Sequence, residues 1–302
     1  MPHSSRILDQ RALAALRRLE WRLRRRPVET PLVGEHRSIF RGRGMEFDQV
    51  VRYEFGDDIR DVDWNVTARL GDLYRKVFVE ERELTVFVVV SDDPALQFGS
   101  GRVSKRETLL ELASVIMLTA VVNRERAGLL HLTPGAVTLH GPSRRRPRIL
   151  HAVASLFAAQ APDPTEGGFA SSPLIEQSVP RGSLVIWLGE IPAAAPPPEW
   201  AGFRRRHPVI GVRVEDAWER EPPAVGAFTA YDPNAHQVVW LDGSPEGRAA
   251  HARWRAGREH IWRAWFPDAQ DRLTVDAEAD PLAAVVRFMK TRSGGAQAAA
   301  PR

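Results

Sequence analysis

"LTVFVVVS", residues 84–91, is the run on which the fold of this chain turns. Apolar and mostly β-branched residues follow one another with no polar alternation. A strand with one face in water alternates, whereas a continuous apolar run belongs to a strand buried on both faces, as in a parallel sheet covered by helices. The flanking sequence should therefore supply helices and further parallel strands.

It does. After a loop carrying Pro94, Gly99 and Gly101, the tetrad Ser104-Lys105-Arg106-Glu107 has the form of a capping box. Leu109, Leu112, Ala113, Ile116 and Ala120 then fall on one side of a helix. "AGLLHLT" (residues 127–133) reads as the next strand, "AVTLH" (136–140) as its hairpin partner, and residues 148–160 as a second helix. "SLVIWLG" (183–189) and "HPVIGVRV" (207–214) are two more buried strands. This alternation predicts an α/β fold: an open, mostly parallel sheet with helices on both faces. The proline- and glycine-rich stretches 161–173 and 192–200 predict irregular surface loops.

Five regions separate by composition. Residues 1–30 form a basic helical arm, with Ala12, Leu16, Leu19 and Leu23 at helical spacing among arginines. Residues 31–83 are polar and glycine-punctuated, 84–245 are the α/β core, 246–292 carry C-terminal helices around a short strand, and 293–302 form a small-residue tail expected to be disordered.

With 302 residues, 43% apolar content and nine tryptophans, the chain can bury a large core. The absence of cysteine excludes disulfides, thiolate nucleophiles and zinc–cysteine centres, and fits a reducing compartment. No run approaches the roughly 18 apolar residues of a membrane span, and the first residues lack the apolar core and cleavage site of a secretory signal. The expectation is a soluble, cytoplasmic protein. Net charge is +4, and of 42 basic residues only Lys76, Lys105 and Lys290 are lysine. Such arginine dominance beside abundant alanine and proline signals a GC-rich genome, which weakens a nucleic-acid reading of the arginine runs.

Two stretches are candidate sites. In "RYEFGDDIRDVDWNVTARLG" (52–71) Asp57, Asp58, Asp61 and Asp63 crowd together with Arg60, Trp64 and Arg69. Read as extended chain, Asp61 and Asp63 share one face and Val62 and Trp64 the other. Arginine pairs bidentately with carboxylates and stacks on indoles, so a carboxylate–guanidinium lattice anchored by Trp64 is more economical than a metal cage. The second candidate, "SDDPALQFGSG" (91–101), follows the first core strand, where open α/β sheets bind ligands. Asp92 and Asp93 could ligate Mg²⁺, against the alternative of turn aspartates before Pro94. No nucleophile elbow, zinc-protease helix or phosphate loop occurs. His131, within an apolar strand, reads as a hydrogen-bonded core residue.

The pattern carried by Gly42, Gly44, Glu46, Phe47, Tyr53, Gly56, Asp57, Asp58, Arg60, Asp63, Trp64, Ala68 and Arg69 resembles the signature of the family called Domain of Unknown Function 58. Gly34, Glu35 and His36 before it, and Asp216, Glu219, Pro223 and Gly226 far downstream, are similar to further family elements, as is the hairpin-like stretch 230–244. The resemblance covers roughly residues 30–290. It implies a von Willebrand factor A-like domain, a metal-ion-dependent adhesion site of the form D-x-S-x-S after the first core strand, and work beside MoxR-type AAA+ ATPases of bacteria as an adaptor or chaperone-like partner. Here the adhesion-site positions fall on Ser91, Asp92, Asp93, Pro94 and Ala95, and the strand expected to end in Ser-Asp ends in Gly189-Glu190. The implied site is degenerate.

The expected function is a non-enzymatic interaction protein engaging an AAA+ ATPase and an unknown client, without cofactor. Two alternatives remain: a metal-dependent hydrolase built on the aspartate cluster, and a nucleic-acid-binding protein using the basic arm.

Overall fold

The computed structural model describes residues 45–80, 84–163, 172–192, 194–223, 227–232 and 237–299. The basic arm expected over 1–30, and Gly42 and Gly44, lie outside them. The chain divides into two units, Val33–Glu83 and the remainder.

In the larger unit the apolar run at residues 84–91 forms strand β3 (Thr85–Ser91), buried from Val86 onward. It lies inside a six-stranded sheet of order β10-β7-β6-β3-β4-β5, with β4 at Arg126–Thr133, β5 at Ala136–Ser143, β6 at Leu184–Gly189, β7 at Val209–Glu215 and β10 at Arg272–Asp276. All pairings are parallel except β4 with β5, the expected hairpin. Because β10 joins β7, the sheet continues past residue 245, and a boundary drawn there divides one sheet. A separate antiparallel hairpin pairs β8 (Ala227–Asp232) with β9 (Gln237–Asp242).

Helices cover both faces. Helix α2 (Lys105–Val122) opens on the capping box read from sequence, with Ser104 and Glu107 satisfying each other's backbone N–H groups. It is buried on more than the expected side, because Leu110, Val115, Met117 and Leu118 are also enclosed. A helix apolar all round is a central one. It packs between α3 (Arg146–Ala158) and α8 (Pro281–Ala299).

The opposite face is aromatic. Phe87, Val89, Leu130, Val185, Trp187 and Val209 of the sheet pack with Trp200 and Phe203 of one helix and with Trp262 and Trp265 of another, whose C-terminal end is capped by Phe266. Those helices are α5 (Pro198–Arg206) and α7 (Pro245–Trp265). Gly211 on β7 makes this possible: a Cβ there would lie 2.5 Å from the Phe266 ring and 2.7 Å from that of Trp262.

Three local expectations are corrected. The stretches 161–173 and 192–200 are not wholly irregular: α4 (Ser172–Ser178) and α5 begin within them. In α5, Pro198 occupies the first turn, where its missing N–H costs nothing and its fixed φ suits the helix. The tail expected over 293–302 is helical as far as Ala299, where alanine and glutamine sustain a helix that the two glycines weaken without breaking.

In the smaller unit, β1 (Met45–Arg52) pairs antiparallel with β2 (Tyr74–Glu80). Between them the chain makes a turn at 54–57, a single 3-10 turn at Ile59–Asp61 and helix α1 (Trp64–Leu70).

Candidate functional site

In the smaller unit, "DIRDVDW" is not extended. Its aspartates are turn and cap residues, because a short carboxylate competes for nearby backbone N–H groups. Asp57 accepts from Glu54 N (2.9 Å) and Asp58 from Arg60 N (2.9 Å). Asp63 caps α1, accepting from Asn65 N (3.0 Å) and Val66 N (3.2 Å). These backbone donors, aided by Lys76 at 3.7 Å, hold the Asp63 carboxyl below the usual aspartate range. Gly56 adopts φ 109°, a conformation that excludes a side chain without strain, so that the chain can fold back onto Asp57. Tyr53 donates its hydroxyl to Asp57 O at 2.9 Å.

The expected lattice is therefore corrected. The cation on Asp57 is Arg75 of β2 (2.7 Å), not an arginine of the signature. Among the described residues, Arg60 and Arg69 form no ion pair with these aspartates; both are exposed. Trp64 is not a buried anchor: it is 63% exposed, as Phe55, Ile59, Leu70 and Leu73 are exposed too. Glu46 and Phe47 sit on β1, opposite Val79 and Phe78.

The second candidate lies at the carboxyl edge of the sheet. Ser91 ends β3 and is buried. The Asp92 side chain has no solvent exposure and is held by Arg106 Nε (2.9 Å to Oδ1) and Nη2 (2.8 Å to Oδ2) and by His131 Nε2 (2.9 Å). Burial alone would raise its pKa, but the His131 and Arg106 hydrogen bonds prevail and keep it below the ordinary value. His131 is thus the hydrogen-bonded core residue expected, with Asp92 as its partner. Asp93 accepts from Ala95 N at 2.8 Å and caps the 3-10 turn Pro94–Gln97. Its pKa is raised, by burial above all.

One step further sits a group that sequence reasoning missed. Lys105, the first residue of α2, is 1% exposed. Its ammonium donates to Glu190, just beyond β6, and to Glu219 Oε1 at 2.7 Å. Glu219 belongs to the short helix α6 (Ala217–Arg220) that follows β7. It also closes a capping box with Asp216, whose carboxylate binds Ser100 N (2.9 Å) and Oγ (2.6 Å) in the loop after β3. Arg258 of α7 bonds the second oxygen of Glu190. Burial would lower the Lys105 pKa, but the Glu190 and Glu219 carboxylates outweigh it and raise it. For Glu190, Lys105 and Arg258 overcome burial and lower the pKa, whereas at Glu219 burial prevails and raises it. Beside this cluster Arg213, Glu215, Trp254, Arg255 and Glu259 line a cavity of about 280 Å³.

Chemically, the arrangement is closed. Lys105 stays protonated and is a cation rather than a nucleophile. Asp92 is spent on Arg106 and His131, Asp93 on a cap, and Glu190 and Glu219 on Lys105. These residues do not fit the divalent cation that an adhesion site would hold. Ser91 offers a neutral hydroxyl where the adhesion-site pattern has a carboxylate, Ala95 has no side-chain oxygen at all, and the carboxylates at this edge already have protein donors.

Comparison with known proteins agrees with the signature. Residues 49–260 match the family described as "Protein of unknown function DUF58". Uncharacterized protein Mb1516 of Mycobacterium bovis and Uncharacterized protein Rv1480 of Mycobacterium tuberculosis are each 30% identical over 300 residues, 97% of this chain and 93% of theirs. Among solved structures, proximal thread matrix protein 1 from the mussel byssus aligns with TM-score 0.39 and 10% identity, over 70% of this chain and 47% of that one. Among the described residues no helix is long and apolar enough to cross a membrane. Match and identity together place this chain in the family described as protein of unknown function DUF58.

Proposed function

We propose that this chain is a non-enzymatic interaction protein, a von Willebrand factor A-like scaffold that presents its signature unit to a MoxR-type AAA+ ATPase and through it acts on a protein client in the cytoplasm. The observation that carries the reading is the surface of that unit. Phe55, Ile59 and Trp64 project into solvent within ten positions, among Asp58 and Arg60, which are exposed too. Large apolar side chains exposed within so short a stretch, among charged ones, favour a protein contact surface. The mostly parallel sheet with an altered adhesion-site loop at its carboxyl edge supports the von Willebrand part, and the family signature supports the choice of ATPase.

The test is affinity purification of the tagged chain from its native host, with and without ATP, followed by mass spectrometry. The expected result is an AAA+ ATPase recovered with the wild type and lost with Phe55→Ala plus Trp64→Ala. Equal recovery by the variant removes the signature surface from the reading. Nucleic acid in place of protein moves the basic arm forward.

A further inference from the structure

Buried ion pairs are a poor route to stability, because apolar residues of like volume do as well or better. Lys105 therefore needs another reason. It stands in the first turn of α2, where the helix dipole disfavours positive charge. It is one of three lysines in a chain whose other basic residues are all arginine. Arginine is a planar fork, whereas an ammonium is a compact, point-like cation with three donors. The position calls for a small cation.

Its surroundings say the same. Glu190 follows β6, Asp216 and Glu219 follow β7, and Asp93 follows β3, so the acids come from the carboxyl ends of three adjacent parallel strands. Glu190 and Glu219 bond the ammonium directly, and Asp93 and Asp216 lie within its electrostatic reach. Among the described residues no three acidic or histidine side chains are spaced to hold a metal by themselves, but two carboxylates meeting on one small cation have the chemistry of a Mg²⁺ or Mn²⁺ site whose remaining positions are filled by water. The occupant here is covalently part of the chain.

We propose that the Lys105 ammonium is a tethered stand-in for a divalent cation: the carboxyl edge of the sheet is a hard-oxygen cation site filled from within, binding the three strand ends together permanently where a metal would do so exchangeably. The inference is independent of the docking surface proposed above. It concerns the other unit and survives even if no ATPase binds.

Removing the plug should uncover the site. Mn²⁺ binding, followed by electron paramagnetic resonance on the full chain, and thermal unfolding in millimolar Ca²⁺, Mg²⁺ or Mn²⁺ provide the readouts. The wild type is expected to show no binding that depends on Glu190 and no shift in Tm. Lys105→Ala removes the charge and leaves room. It is expected to have a lowered Tm that recovers by about 5 °C or more at saturating divalent ion, as a ligand specific to the folded state requires. That recovery should vanish when Glu190→Gln is added. Lys105→Met removes the charge but fills the space, and no recovery is expected. If Lys105→Ala does not fold, the double variant Lys105→Ala, Glu219→Gln leaves one carboxylate fewer uncompensated and carries the same readouts. The proposal is overturned if the folded alanine variant gains neither binding nor stability from divalent ions, if the methionine variant recovers equally, or if the wild type binds Mn²⁺ in a manner abolished by Glu190→Gln.

Discussion

Two regions of this molecule use the same residue types to opposite ends. In the signature unit four aspartates fall within seven consecutive positions, and three of them, Asp57, Asp58 and the buried Asp63, are turn and cap residues served by backbone N–H groups close by in sequence. At the carboxyl edge of the sheet the acids are scattered. Asp92 lies 14 positions from Arg106, and Glu190 and Glu219 lie 85 and 114 positions from Lys105, yet each meets its cation at an enclosed site. Density of acids along a chain reports local turn chemistry, whereas convergence of buried acids and cations reports a site. The difference lies in the donors within reach: a carboxylate at the start of a turn or helix is served by backbone N–H groups two or three residues away, while a buried one without them must be neutralised by a cation brought from elsewhere in the chain.

The sharpest way to break this comparison is to remove one arginine from each region. Arg106→Ala leaves the fully buried Asp92 with His131 alone, and loss of one partner of a buried pair costs about 3–5 kcal/mol. Arg75→Ala removes the partner of Asp57, where the two side chains are 32% and 22% exposed, and solvent limits the loss to about 1 kcal/mol or less. Urea unfolding of both variants, with equal m-values, measures the contrast. Similar losses would mean that burial does not divide the regions.

Titration sharpens it further. Asp92 has a folded pKa below its ordinary 3.8, so its contribution to stability is complete above that value and lost as pH falls through the lower folded one. Lys105 has a folded pKa above its ordinary 10.5; its contribution is complete below that value and lost as pH rises through the higher one. Stability measured against pH should therefore show an acid limb that weakens in Arg106→Ala and an alkaline limb that disappears in Lys105→Met. An alkaline limb unchanged in the lysine variant would assign it to other groups.

The sheet could be read from sequence because its information is local: the unbroken apolar run of β3, the Ser104–Glu107 capping box and the runs of β6 and β7 each declare themselves within eight residues. The shape of "DIRDVDW" was misread for a physical reason. Alternation of polar and apolar residues fits a strand, but Asp58 and Asp63 each sit where a turn begins, and their capping bonds decide the backbone. The charge cluster was illegible for another reason, since no local pattern links residues 105, 190 and 219. One signal was available: lysine is rare here, and two of the three lysines lie beside carboxylates. Lys105 is buried between glutamates, and Lys76 faces Asp63.

A smaller effect tests the cap. Asp63→Ala removes the acceptor of two backbone N–H groups at the start of α1 and should cost about 1 kcal/mol, read as a fall in the urea midpoint. Asp63→Asn, which retains an accepting oxygen, should recover most of it. Equal losses in the two variants would shift the role from cap to charge, and so to the Lys76 pair.

The smallest expected change in stability belongs to the residue that looks most important in the sequence. A buried tryptophan replaced by alanine would cost about 3–5 kcal/mol. Trp64 is 63% exposed at the first position of α1 and forms no part of the aromatic core built on Trp187, Trp200, Trp262 and Trp265. Trp64→Ala should then change stability by about 0.5 kcal/mol or less, the range of surface substitutions. Under the interaction role proposed above, partner capture should fall while Tm holds. A loss of several kcal/mol would instead place the indole in a packed interface within the chain, and the signature unit would then resemble the carboxyl edge of the sheet after all.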